Sequence, residues 1–166
     1  MNMARTSRFL AWLVIAASVA GCAATQQAVK PTSAIEGRYV RIELQDGTSY
    51  PVEKVDQLYL RVAWLLGIKR LNGDSRPTVV VTTPDTIRQL YQVNGAGHYM
   101  NGLMPLAGYV DGKILTWGYD APRLARMLAY HLALQYLKTD LSEAERLAAR
   151  VEDRITWETM NPFSSF

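Results

Sequence analysis

The longest amphipathic pattern outside the N-terminus covers residues 120–139. At about 100° per residue, its large apolar side chains fall on one side of a helix, and these are Leu124, Met127, Leu128, Leu132 and Leu134. Asp120 is suited to cap this helix, and Pro122 suits its first turn. His131 and Gln135 stand one turn apart in the middle of the apolar side. We therefore expect a long central helix that buries a pair of polar side chains.

Shorter patterns predict strands and further helices around the central one. Strands are expected at residues 38–45, joined by an Asp46–Gly47 turn to a short strand at 48–52, at 78–82, and in a second hairpin over 107–117. Helices are expected at 51–66, 83–91 and 142–158, the last beginning with a capping box of Ser142 and Glu145. Residues 94–105 contain three glycines and no periodicity, which indicates a loop. The elements predict an α+β fold, with a small mixed or antiparallel sheet packed on helices.

The N-terminal residues have the pattern of a secretory signal. Residues 1–8 contain two arginines and no acidic residue, and residues 9–20 are uncharged but too few to span a bilayer. This run ends in the letters VAGC, which resemble the lipobox of bacterial lipoproteins. The resemblance implies that Cys22 is diacylated and becomes the first residue of the mature chain. The alternative is an ordinary cleaved signal with a chance cysteine.

The residues around the cysteine predict where the protein is located and how the chain divides into segments. Ala23 stands where aspartate is associated with retention in the inner membrane, so the resemblance implies an outer-membrane anchor facing the periplasm. Two or three acyl chains hold far more firmly than one. We expect a signal peptide at 1–21, a lipidated flexible tether at 22–33, a single α+β domain at 34–160 and a tail at 161–166.

Charge and cysteine content exclude several classes of function. Removal of the predicted signal takes away two of the 18 lysines and arginines, leaving 16 against 15 acidic residues. These charges alternate in sign, which is typical of a solvated surface. No basic stripe with interleaved aromatic residues is present, so we expect no nucleic-acid binding. Cys22 is the only cysteine, which excludes an internal disulfide, and no cofactor fingerprint is visible.

The order of elements over residues 78–158 resembles the compact core of zincin-like metallopeptidases: strand, short helix, glycine-rich loop, hairpin, long helix, final helix. The letters HLALQ stand where zincins carry HExxH, so His131 matches the first zinc ligand. Glu143 resembles the glutamate that supplies the third ligand from the next helix. However, Leu132 replaces the general base and Gln135 replaces the second histidine. A neutral amide is a poor zinc ligand, and no group beside the helix is left to deprotonate an attacking water.

The candidate site therefore consists of His131, Gln135 and Glu143, with His98 of the glycine-rich loop as a further candidate. A structural interpretation makes His131 and Gln135 a buried hydrogen-bonded pair, because a buried polar group without a partner is costly. The expected partners are Tyr109, Tyr119 or a carboxylate of the last helix. A functional interpretation makes them the remains of a pocket that binds a ligand or peptide without cleaving it.

We predict a periplasm-facing, membrane-anchored lipoprotein that acts as a non-catalytic binding or assembly module on a zincin-like scaffold. No catalytic residue, metal or cofactor is expected. The expected partners are the membrane, through lipidated Cys22, and a protein or peptide. One alternative is a zinc-dependent hydrolase that uses an unusual set of groups, namely His98, His131 and Glu143. Another is a structural lipoprotein unrelated to zincins.

Overall fold

Five strands and four α-helices are present in this computed structural model, which describes residues 33–45, 49–71, 76–93 and 107–162. The strands are β1 (Ser33–Glu36), β2 (Arg41–Leu44), β3 (Thr78–Val81), β4 (Ala107–Val110) and β5 (Lys113–Thr116). The helices are α1 (Val52–Leu65), α2 (Pro84–Val93), α3 (Ala121–Leu132) and α4 (Leu141–Met160). A π-helical segment, Ala133–Leu137, continues α3.

The strands form one mixed sheet in the order β1-β2-β3-β5-β4. β2, β3 and β5 run parallel to one another, whereas β1 and β4 are antiparallel to their neighbours. Parallel neighbours need a long crossover, and α1 and α2 lie in the two connections that supply it. The predicted α+β class, with a small mixed sheet packed on helices, is confirmed.

The two faces of the sheet are covered by different helices. Ile42, Val79 and Ile114 lie side by side in β2, β3 and β5 and are fully buried in one cluster with α1, α3 and α4. On the other face, Val80 and Leu115 pack against α2. Successive side chains of a strand point to opposite faces, so the β-branched run of β3 is buried on both sides.

The first hairpin differs from the prediction. β2 pairs with β1, which precedes it, and residues 49–51 form no strand. Asp56 of α1 favours this arrangement, because its carboxylate accepts the backbone N–H groups of residues 38–40 at 2.7, 2.9 and 3.1 Å. A carboxylate that accepts three backbone donors pins the β1–β2 turn onto α1. Ser33, which was expected at the end of the tether, therefore begins the sheet.

The start of α4 also differs in detail. Asp140 is the N-cap, because its side chain accepts the backbone N–H of Glu143 at 2.8 Å, and the helix begins one residue earlier than expected. The predicted capping box of Ser142 and Glu145 is wrong. Glu145 is bound instead by Arg126 of α3, a partner from another helix that the local pattern does not contain.

Several predictions concern residues outside the described part of the chain. These are the signal peptide, most of the tether, the Asp46–Gly47 turn, the loop at 94–105 and the last four residues of the tail. Within the described ranges, none of the helices combines the length and the apolar character that a bilayer span requires.

Replacing Asp56 with alanine tests how the first hairpin is held. We expect the free energy of unfolding to fall by about 1.5–3 kcal/mol, because charged acceptors of backbone donors contribute about that much. Urea denaturation measures the change. The control is Asp153→Ala at an exposed position of α4, where a change within about 0.5 kcal/mol is expected. Equal losses in both variants would contradict the anchoring role of Asp56.

Candidate functional site

α3 is positioned by its N-cap and by a buried apolar row. Asp120 accepts the backbone N–H of Arg123 at 3.1 Å and a proline follows in the first turn, both as predicted. Three leucines of the row are fully buried, and they are Leu124, Leu128 and Leu132. His131 is carried into the interior beside this row and is only 6% exposed. The predicted burial of His131 is confirmed.

The π-helical segment changes the position of Gln135. In a π-helix the backbone hydrogen bonds join residues five apart, whereas in an α-helix they join residues four apart. The side chain that lies one turn further along the helix is therefore shifted by one residue. Gln135 is exposed, and Tyr136 packs against the core instead. The segment ends at Lys138, which has a left-handed φ of 54°. The prediction that Gln135 lies at the centre of a buried stripe is therefore wrong, because it assumed an α-helical repeat to residue 139.

Tyr109 of β4 is the partner of His131. The phenol oxygen of Tyr109 lies 3.2 Å from His131 Nδ1, and the imidazole tautomer decides which of the two atoms donates. Burial raises the pKa of Tyr109, and a side-chain hydrogen bond with Gln135 opposes that rise. The Tyr130 ring packs edge-on against Tyr109, with 5.3 Å between the centroids. Tyr109 therefore contacts His131 directly, and Gln135 is close enough to affect the pKa of its phenol.

The other expected partners of His131 are found in different contacts. Tyr119 lies edge-on against Tyr50, with 6.3 Å between the ring centroids. In the last helix, Glu152 accepts from Arg126 at 2.8 Å, and Glu145 is bound by the same guanidinium. These carboxylates join α4 to α3.

Glu143, His98 and Cys22 complete the predicted set. Glu143 is bound by Arg146, whose Nε and Nη2 donate to its two carboxylate oxygens at 2.7 and 2.6 Å. This hydrogen bonding with Arg146 lowers the pKa of Glu143. The structure thus places Glu143 in an ion pair along its own helix, not with His131. His98 and Cys22 lie outside the described residues.

The residues at the zincin-like position do not fit a zinc site. Zinc is held by imidazole, thiolate or carboxylate groups that converge on one point. The described part of the chain contains no cluster of three or more histidine, cysteine, aspartate or glutamate residues that could hold a metal ion. Leu132, which stands in the place of the general base, is fully buried in the core.

No protein-family model, curated protein or solved structure matches this chain. Only the geometry of the site therefore indicates a function. That geometry is a buried imidazole hydrogen-bonded to a phenol of β4, with an exposed amide next to it. In this arrangement the imidazole is bound inside the domain, and the phenol is hydrogen-bonded to it.

Two variants separate the structural part of the site from its surface part. Tyr109→Phe removes the hydroxyl that faces His131, so we expect the free energy of unfolding to fall by about 1–3 kcal/mol, the cost of leaving a buried polar group unsatisfied. Gln135→Ala removes an exposed amide, and we expect a loss below about 0.5 kcal/mol. Thermal or urea melts measure both.

A second tyrosine provides the matched control. Tyr39 is half-buried and stacks on Tyr59, with 6.1 Å between the ring centroids, so Tyr39→Phe keeps its main contact. We expect Tyr39→Phe to change stability by less than about 0.5 kcal/mol. A Tyr109→Phe protein as stable as Tyr39→Phe would show that the contact with His131 contributes nothing.

Proposed function

We propose that this chain is a lipoprotein anchored in the outer membrane and facing the periplasm, and that its domain is a non-catalytic binding or assembly module on a zincin-like scaffold. The observation that carries the proposal is the 3.2 Å contact between Tyr109 and His131. The histidine that matches the first zinc ligand is thus hydrogen-bonded to another side chain of the same domain. The carboxylate expected from the next helix is bound by Arg146.

The layout around α3 supports the zincin-like part of the proposal. β4 and β5 form a hairpin, and β4 is at an edge among the described strands. α3 follows β5 directly and packs against the hairpin, and α4 packs along α3. A zincin-like core requires a hairpin beside the active-site helix and a further helix behind it.

The burial of Leu132 supports the non-catalytic part. A general base must reach solvent or substrate to accept a proton, and this position lies in the core at 0% exposure. A glutamate there would bury a charge without a partner, which is strongly unfavourable. The helix therefore packs as a structural element at the place where a peptidase would carry its reactive carboxylate.

A peptide is the class of partner that this site suits. An edge strand offers a row of backbone donors and acceptors to an incoming extended chain. β4 is at the edge among the described strands and carries Tyr109, and Ala107 at its start already makes a further contact. The exposed amide of Gln135 lies next to this phenol and adds one donor and one acceptor.

Metal content and hydrolysis test the non-catalytic proposal together. We expect the purified mature protein to contain no stoichiometric zinc, with the same metal content in His131→Ala. A broad peptide library should be left uncleaved, with and without a chelator. Stoichiometric zinc that is lost in His131→Ala, or chelator-sensitive cleavage, would favour the hydrolase alternative and overturn the proposal.

Two variants near the predicted cleavage site test the anchor. Cys22→Ser removes the thiol that would be acylated, so we expect an unprocessed precursor that no longer fractionates with the outer membrane. Ala23→Asp keeps the thiol and should send the processed protein to the inner membrane. Membrane fractionation with immunoblotting measures both. Unchanged outer-membrane fractionation of Cys22→Ser would refute the anchor.

A further inference from the structure

α1 and α4 each carry an arginine followed three residues later by an exposed tryptophan. The Arg61 Cζ lies 4.4 Å from the ring centroid of Trp64, and the Arg154 Cζ lies 5.1 Å from that of Trp157. The i,i+3 spacing brings such side chains together on a helix, and each pair is a cation–π contact. Both rings remain at the surface, where 66% of Trp64 and 43% of Trp157 is exposed.

Glu158 joins the two pairs into one surface. Its carboxylate accepts from Arg61 at 2.5 and 3.2 Å and from Arg154 at 2.8 Å. The two tryptophans therefore lie on neighbouring helices and are held by one network of ion pairs. We refer to this surface as the Arg–Trp face, defined by Arg61, Trp64, Arg154, Trp157 and Glu158.

Apolar groups extend the Arg–Trp face. Leu60, on the turn before Trp64, and Met160, on the turn after Trp157, are both exposed. A shallow groove of about 190 Å³ lies between α1 and α4, lined by Leu65, Leu66, Leu147, Arg150, Val151 and Arg154. A soluble surface rarely exposes this many large apolar side chains together without a partner.

The charge of this region is positive. Among the residues that define the face or line its groove, Arg61, Arg150 and Arg154 are basic and Glu158 is acidic. The exposed Lys69 and Arg70 follow α1 in the chain, and the exposed Asp153 is on α4. The excess of basic over acidic side chains suits an anionic partner. Basic residues close to an anionic lipid surface strengthen binding to it.

The combination of residues fits a bilayer surface. Tryptophan is enriched at membrane–water interfaces because its ring is apolar and its N–H is polar. Arginine lays its apolar stem along a surface while its charged end stays with the headgroups. The groove is open to solvent, unlike the enclosed pockets that anchor protein hot spots.

The length of chain before β1 places a membrane within reach. From Cys22 to Ser33 the chain advances eleven residues, which span at most about 40 Å when fully extended. A domain of this size is about 35 Å across. The tether therefore permits any face to meet the bilayer, and the chemistry of the surface selects which one does. Tethering also raises the effective concentration, so a weak attraction is sufficient.

We propose that the Arg–Trp face docks on the anionic phospholipid surface of the membrane that holds Cys22. The inference rests on the proposed lipid anchor and extends it, because it assigns an orientation to the domain. Trp64 and Trp157 enter the headgroup region, and the neighbouring basic side chains contact lipid phosphates.

The tryptophans themselves are the probes for the test. We would reconstitute the mature protein, purified from membranes, into phosphatidylethanolamine–phosphatidylglycerol vesicles whose acyl chains are brominated. Each variant keeps one tryptophan, with the others replaced by phenylalanine: Trp64, Trp157 or Trp117. Trp117 is the matched control, since it is 53% exposed and adjoins Gly118, whose carbonyl accepts from Tyr50 just before α1, whereas Trp64 is at the other end of that helix.

We expect bromine to quench the emission of Trp64 and of Trp157 by about twofold or more, because interfacial tryptophans reach headgroup depth. The emission of Trp117 should stay unchanged. Equal quenching at all three positions, or none at Trp64 and Trp157, would overturn the proposal. If the single-tryptophan variants fail to fold, the test uses Trp117→Phe alone. We expect bromine to quench the emission of Trp117→Phe as strongly as that of the native protein.

A charge variant tests the anionic requirement. Lys69→Gln with Arg70→Gln removes two exposed charges that follow Trp64 by five and six residues in the chain, and it leaves the ion pairs of Glu158 intact. We expect less quenching with this variant, and less for the native protein in phosphatidylcholine vesicles. Arg88→Gln with Arg123→Gln is the control, because α2 covers the other face of the sheet and Arg123 is paired with Asp120 at the start of α3. If the control loses as much quenching as the first charge variant, the result would count against docking through the Arg–Trp face.

The same experiment separates the docking surface from the anchor. Mass spectrometry of the purified chain shows whether it is acylated. If it is not, the anchor proposal fails, and flotation of the protein with the same vesicles still tests the Arg–Trp face. If peptidoglycan changes the emission of Trp64 and Trp157 and vesicles do not, the membrane proposal is overturned.

Discussion

The buried row of α3 determines where the rest of the domain lies. Leu124, Leu128 and Leu132 are fully buried, and burial of a leucine stabilises the fold by about 1.5–3 kcal/mol. Rotation of the helix would expose all three, so its orientation is strongly held. His131 consequently meets β4, and Arg126 on another flank meets the carboxylates of α4. The candidate site and the docking of α4 both follow from this one row.

The polar groups beside this row have structural partners. His131 is bound by Tyr109, Glu143 is bound by Arg146, and Leu132 belongs to the core. A glutamate at residue 132 would place a carboxylate in the apolar interior, which is strongly unfavourable. The apolar row holds the helix in place, so its position does not depend on any reaction of its polar residues.

The two proposed contact surfaces lie on different parts of the domain. α1 and α4 cover one face of the sheet, and α2 covers the other. A domain docked through the Arg–Trp face would turn α2 towards the periplasm. β4, at the edge among the described strands, carries none of the residues of the Arg–Trp face. Membrane attachment and partner binding then do not compete for the same residues.

Local pattern determined the type of most elements, including the Asp120 cap, because these depend on neighbours a few residues apart. It also indicated Tyr109 as a partner of His131. Only the tertiary structure decided that Asp56 holds the β1–β2 turn, that a π-helical segment exposes Gln135, and that Glu158 joins α1 to α4. The alternating charges of α4 predicted a solvated surface, yet several of its charged side chains form ion pairs with residues of other helices. Contacts between distant residues carry no local period, so only the folded chain reveals them.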